Sequence, residues 1–263
     1  MSHLEAKNAA DWAALVEELR QMRLSAMADE LERQCGDPNV DLIQADKRIA
    51  ALIEAEWGLR YNKKLNRFLK NAHLRYPDAT IDESIYDPER MLDADTVIAL
   101  SACEWVPEGR NVLITGCAGT GKTHIACAIC GSALRKFMTV RYVKALDLIY
   151  EIQKADLENR HQEKMAEIAK LDILVIDDFG LMDLSADKCR ALFEVIDSRE
   201  GRKSTMVISQ LPVKAWYALF SDRTYADSCM DRLVHKAYRL ELMGKNMRNP
   251  SLNKKEQPKG EVE

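Results

Sequence analysis

Eight consecutive residues constrain this chain more than any others: Gly116-Cys117-Ala118-Gly119-Thr120-Gly121-Lys122-Thr123. They fit the pattern glycine, four residues, glycine, lysine, then serine or threonine. An apolar stretch over 112–115 precedes them, and a helix-forming stretch over 122–137 follows. A loop of this kind works only between a strand and a helix. Its glycines let it close tightly and aim backbone N–H groups inward, a nest for a β-phosphate. The helix N-terminus adds its dipole to the same anion. Lys122 is placed to reach β- and γ-phosphate oxygens, and Thr123 Oγ to ligate Mg2+, with His124 next in line at the site. Chance gives such a match in about one chain per hundred of this length. The strand–loop–helix setting makes chance rarer still.

The surrounding pattern agrees. Strands read at 112–115, 140–143, 173–176, 205–208 and 238–242, with helices at 122–137, 145–156, 158–170 and 186–199. Alternating strand and helix implies an α/β fold whose five-stranded parallel sheet is covered on both faces. The run Leu171-Asp172-Ile173-Leu174-Val175-Ile176-Asp177-Asp178 is a buried strand that ends in two carboxylates. Ligands of such sheets bind at the carboxyl ends of the strands. Asp177 is therefore expected to hold Mg2+ through water, and Asp178 to polarise the attacking water. Ser209-Gln210 closes the strand at 205–208, which should lie between the two motif strands. Ser209 is the polar group expected to touch the γ-phosphate or the water; the plain reading of such a strand end is a turn residue. Cys127 and Cys130 lie on the helix behind the loop without a second Cys or His pair, so they read as core packing.

Residues 1–76 carry no strand-like alternation. Leu15, Leu19, Met22, Met27 and Leu31 fall at helical spacing from Asp11, and Gly36-Asp37-Pro38-Asn39 breaks that helix. A second helix is predicted from about Asp41 to Tyr76, stopping at Pro77. On a helical wheel Tyr61, Leu65, Phe68, Leu69, Ala72 and Tyr76 share one arc. Arg60, Lys63, Lys64, Arg67, Lys70 and Arg75 share the opposite one, and no acidic residue occurs between Trp57 and Pro77. The plain reading is a solvated helix face. The alternative is a polyanion, since a phosphate backbone neutralises such a stripe with release of counterions. Arg60, Lys63, Lys64, Arg67 and Lys70 are the candidate DNA-binding residues. The expected organisation is a helical DNA-binding or assembly domain at 1–76, a connector at 77–108 and an ATPase domain at 109–243. A polar tail at 244–263 follows the last strand, too short and too polar for a C-terminal helical lid.

Composition excludes several classes. Hydrophobic residues are 47% and charged residues 30% of the 263, and no apolar run reaches the length of a membrane span. Net charge is −4, so any nucleic-acid surface must be local. Seven cysteines without framework spacing suit a reducing cytoplasm.

Five segments carry a family resemblance: LRQMRLSAMADEL (19–31), GCAGTGKTHIACAI (116–129), LDILVIDDFG (171–180), STMVISQLPVKAW (204–216) and DRLVHKAYRLELMGKNMR (231–248). With them the chain resembles an IstB-type ATPase, helper of an insertion-sequence transposase, within the wider DnaC/DnaA-like AAA+ group. The resemblance implies a P-loop AAA+ core that uses ATP and Mg2+, assembles as a homo-oligomer on duplex DNA and hands that DNA to a cognate transposase. It also implies an arginine finger at Arg232, acting on a neighbouring subunit. The plain reading of Arg232 is a surface arginine paired with Asp231 or Asp227. Asp178 departs from the glutamate found in many AAA+ proteins, but relatives in the family also carry aspartate, so the resemblance implies slow rather than absent hydrolysis. A DnaC-type helicase loader is the nearest rival, and a small-molecule P-loop kinase a more distant one that leaves the basic helical region unexplained.

Overall fold

The computed structural model describes residues 3–82, 84, 91–244 and 246–247. Pro88 of the connector and the tail 248–263, with Pro250 and Pro258, lie outside the described residues. The chain forms two compact units, Met1–Arg67 and Phe68–Glu263.

The first unit is helical: α1 (His3–Gln21), α2 (Ser25–Gly36) and α3 (Ala45–Ala72), the last crossing the unit boundary. The single helix predicted from Asp11 to Gly36 is in fact two. Arg23 adopts φ 61°, and Leu24 N–H turns back to the carbonyl of Leu19 at 2.9 Å, which closes α1. Left-handed backbone ends helices in this way. The new helix then needs partners for its first N–H groups, and no side chain of its own supplies one. Glu56 on α3 does. Its carboxylate accepts from Ala26 N–H at 3.1 Å and Met27 N–H at 3.3 Å. Arg60, one turn along α3, holds that carboxylate at 2.7 Å. Val16, Ala28 and Leu31 form the small core, with Leu19 and Leu52 against it. The helix expected from Asp41 begins at Ala45, because Val40–Leu42 closes a 3-10 turn first.

The second unit contains the sheet. Its strands are β1 (Val112–Gly116), β2 (Val140–Lys144), β3 (Ile173–Phe179), β4 (Ser204–Ser209) and β5 (Tyr238–Leu242). They are all parallel, in the order β2-β3-β4-β1-β5. The fold is thus the expected α/β arrangement, and β4 lies between the two motif strands. Helices α5 (Lys122–Arg135), α6 (Ala145–Leu157), α7 (His161–Lys170) and α8 (Ala186–Arg199) follow the predicted pattern. Between β4 and β5 the sequence shows no helix, yet a 3-10 turn (Val213–Leu219) and α9 (Arg223–Val234) occur there. The overlooked signals are Pro212 before the turn and Asp222 before α9. Asp222 Oδ1 accepts from Thr224 N–H at 2.8 Å as an N-cap. Trp216 is fully buried against Phe179, ring centroids 4.8 Å apart.

The connector is anchored to the core rather than loose. Helix α4 (Ala94–Ser101) is capped by Asp93, and buried Trp105 donates to Leu100 O at 2.8 Å. The unit boundary falls before Phe68, ahead of the break expected at Pro77. Within the second unit Phe68 meets Phe137 edge-on at 5.8 Å, and Ala72 is buried. At the amino end of the sheet Arg199 is 1% exposed and donates to the carbonyls of Ile168, Leu171 and Ser204 and to Thr205 Oγ1. Burial pulls its pKa down to about 10. Among the described residues no helix follows β5, and none is long and apolar enough to cross a membrane.

Candidate functional site

The site is built at the carboxyl edge of the sheet, where β1 ends and the chain turns into α5. Gly116 has φ 145°, and a Cβ there would lie 2.0 Å from Leu242 O on β5. Gly121, at φ 89°, is the residue before α5 and lets the loop enter the helix with its N–H groups turned inward. Gly119 lies under the chain that leaves β5: Met247 N–H donates to Gly119 O at 2.8 Å. Lys122 is 7% exposed and its Nζ donates to Cys117 O at 2.7 Å, so it spans the loop from within.

Thr123 and Asp177 meet directly. Thr123 Oγ1 donates to Asp177 Oδ2 at 2.9 Å. Tyr142 on β2 donates to the same oxygen at 2.6 Å, and Asp178 N–H donates to Oδ1 at 2.7 Å. Burial, then the Asp177 carboxylate, push the Tyr142 hydroxyl pKa far above its ordinary value. One hydroxyl and one carboxylate, both hard oxygen donors, thus converge beside the phosphate loop. That donor set fits Mg2+.

Two consecutive strand residues normally point to opposite faces. Here the register shifts between Ile176 and Phe179, and Asp178 has φ 56°. The extra residue of this bulge brings both Asp177 and Asp178 to one cleft of about 230 Å3. Asp178 is ion-paired there with Lys144 Nζ at 2.9 Å. Ala118, Gly119, Lys122, Thr123, Ser209 and Gln210 line the same cleft.

Three expectations change in detail. Ser209 lines the cleft but is 1% exposed, and its single hydroxyl proton goes to Phe179 O at 2.5 Å. Its oxygen accepts from Leu211 N–H at 3.0 Å, so Ser209 fastens β4 to β3 and has no proton left for a phosphate. Gln210, the next residue, is exposed and is the better-placed polar group. His124 faces the ring of Tyr76, centroids 6.0 Å apart, and does not line the cleft. Arg232, on α9, is held in its own chain by Asp197 at 2.9 Å and Glu200 at 2.9 Å, and lies over the ring of Phe193. Its partners are not Asp231 or Asp227.

The basic stripe lies on α3. Arg60, Lys63, Lys64 and Arg67 are exposed on α3 in the first unit, and Lys70 is exposed on the part of α3 in the second. Arg60 is engaged with Glu56, which lies just outside the acid-free stretch read from the sequence. Arg75, grouped with that stripe on the helical wheel, instead lines the phosphate cleft. The wheel fails there because α3 ends at Ala72 and His73 turns the chain at φ 51°. Cys127 and Cys130 are buried, and burial raises both thiol pKa values, as suits core residues. A larger cleft, about 580 Å3, holds His161 beside Asp156 and Glu194 but has no phosphate loop. Among the described residues no group of three or more His, Cys, Asp or Glu side chains forms a metal site.

Residues 17–256 match the family model described as IstB-like ATP binding protein. An insertion sequence ATP-binding protein of Sinorhizobium fredii is 34% identical over 230 residues, covering 88% of this chain and 92% of the relative. Another, of Pseudomonas fluorescens, is 34% identical over 195 residues, 74% of this chain and 84% of the relative. Among solved structures, the DnaC helicase loader superposes with TM-score 0.54 at 20% identity, over 64% of this chain and 98% of that one. Replication initiator DnaA bound to AMPPCP and single-stranded DNA gives TM-score 0.54 at 18% identity, over 66% of this chain and 52% of that one. At those identities the likeness is one of fold, a P-loop AAA+ core.

Proposed function

The chain belongs to the IstB-like ATP-binding protein family, and from that premise we propose that it is a Mg2+-dependent ATPase that assembles on duplex DNA and assists a transposase. The observation that carries the reading is the pairing of Thr123 with Asp177 beside a loop whose lysine is already drawn inward. Lys122 and the loop N–H groups bind the β- and γ-phosphates. Thr123 and Asp177 hold Mg2+, which supplies charge neutralisation at the phosphates. Asp178 orients and polarises the attacking water, and Gln210 supports that water or the γ-phosphate from the end of β4.

The relatives named for insertion sequences support a transposition helper over a helicase loader, whose likeness is in fold alone. The exposed stripe Lys63, Lys64, Arg67 and Lys70 supports contact with phosphate backbones, which positions DNA without reading its sequence. Arg60 contributes less, because Glu56 already neutralises it. In the assembly Arg232 leaves Asp197 and Glu200 to reach the γ-phosphate of a neighbouring subunit. The proposed domain roles follow: a DNA-contacting helical region, an ATPase core, and a cytoplasmic setting where the transposase acts.

The test is retention of random-sequence duplex DNA with and without ATP. Wild-type protein retains DNA only with ATP, with affinity falling steeply as salt rises. Lys122→Ala loses the ATP response. A protein carrying both Lys63→Glu and Arg67→Glu binds ATP but not DNA. Retention of DNA by that double variant with an unchanged salt slope would overturn the assignment of the stripe.

A further inference from the structure

Arg75 has no place in the roles assigned so far, yet it lines the cleft with Lys122, Thr123, Asp177 and Asp178. It reaches the cleft from a fixed segment. Leu74 and Ala79 are buried on either side, Tyr76 stands against His124, and the backbone at Arg75 and Tyr76 meets the Cys127 thiol of α5. The Arg75 guanidinium also lies 5.8 Å from the ring of Tyr76.

Its neighbours give it a direction. The Tyr142 hydroxyl is a near neighbour of the guanidinium and holds its pKa above the ordinary value, and Tyr142 donates its own proton to Asp177 Oδ2 at 2.6 Å. That oxygen also receives Thr123 Oγ1. Arg75 is therefore tied to the end of the cleft where threonine and carboxylate meet, the end that takes the β- and γ-phosphates. Among the described residues no carboxylate lies within ion-pair distance of Arg75, whereas Lys144 is paired with Asp178. A guanidinium carries five N–H donors in a planar fork, which suits a phosphoryl group bidentately.

We propose that Arg75 binds the γ-phosphate of ATP within its own subunit, so that it distinguishes ATP from ADP, with Tyr142 as the positioning residue that aims it. The inference rests on the ATP-binding reading above and adds a state-sensing residue to it. Unlike Arg232, Arg75 needs no neighbouring subunit to act.

The test measures Mg-ATP and Mg-ADP affinity by displacement of a fluorescent nucleotide, together with the melting temperature of nucleotide-free protein. Arg75→Ala loses about tenfold or more in ATP affinity, the scale of a lost charge-assisted pair, with ADP affinity within about twofold. Arg75→Lys retains part of the preference, and Tyr142→Phe loses less than Arg75→Ala in the same direction. Should Arg75→Ala fold poorly, the ATP-to-ADP ratio in Arg75→Lys and Tyr142→Phe decides the matter. Equal losses for both nucleotides, or none for either, overturn the assignment while leaving ATP binding intact. Wild-type protein that binds neither nucleotide overturns the ATP reading and this inference with it.

Discussion

Lys144 holds Asp178 at 2.9 Å, and this pair restrains the residue proposed to polarise water. Both side chains are partly open to solvent, 48% for Lys144 and 30% for Asp178. At that distance a pair in water gains ~1.4 kcal/mol, and measured exposed pairs rarely exceed about 1 kcal/mol. Removing the lysine therefore frees Asp178 by about 1 kcal/mol, or about fivefold in its unpaired fraction. Lys144→Ala should raise kcat for ATP by up to about fivefold at saturating Mg-ATP. The lost cation should weaken nucleotide binding slightly, which a fluorescent titration reads separately. Combining Lys144→Ala with Asp178→Asn should abolish the gain. A fall in kcat at full saturation would show that the reasoning has the sign wrong, with Lys144 serving the phosphates rather than restraining the acid.

Other expectations follow from particular contacts. Gln210→Ala should lower kcat with little change in ATP affinity, whereas Ser209→Ala should cost about 1 kcal/mol in denaturant unfolding and leave turnover closer to wild type. Glu56→Ala removes the cap from α2 and should cost about 1–2 kcal/mol, with faster amide exchange at Ala26 and Met27. The Arg60 hydrogen bond, ahead of the backbone contacts, holds the Glu56 carboxyl below its ordinary range. Its contribution is thus complete above the unfolded value of about 4.3 and is lost as pH falls through the lower folded value, which acid titration of stability reads. Arg199→Met strands three carbonyls and a hydroxyl at the base of the sheet and should cost about 3 kcal/mol or more in the same denaturant assay.

The parallel sheet was legible because each strand is a short apolar run bounded by helical patterns, and periodicity reports burial. The phosphate loop was legible because its glycines are required by backbone geometry that no other residue adopts cheaply. Long-range hydrogen bonding was not. Nothing near Ser25 signals that its helix is capped from Glu56, and nothing near Ser209 signals that its proton belongs to Phe179 O. Arg75 was misplaced for a related reason: helical spacing continues on paper through His73, while the chain does not. Helix α9 escaped because its buried residues, Ala226, Cys229 and Leu233, are few and small among polar neighbours.

The bulge in β3 also bears on which acid can stand at position 178. With φ at 56°, the backbone there favours residues whose short polar side chains tolerate a left-handed turn, and aspartate and asparagine are foremost among them. Glutamate would bring the longer reach common in AAA+ proteins, but on a backbone that tolerates it less well. The departure noted in the sequence is then a matter of chain geometry before it is one of chemistry. The fold favours the shorter arm, and the carboxylate is brought into the cleft by an inserted residue rather than by an added methylene. Straightening the bulge to relieve a glutamate at this position would send one of the two neighbouring acids to the far face of the sheet.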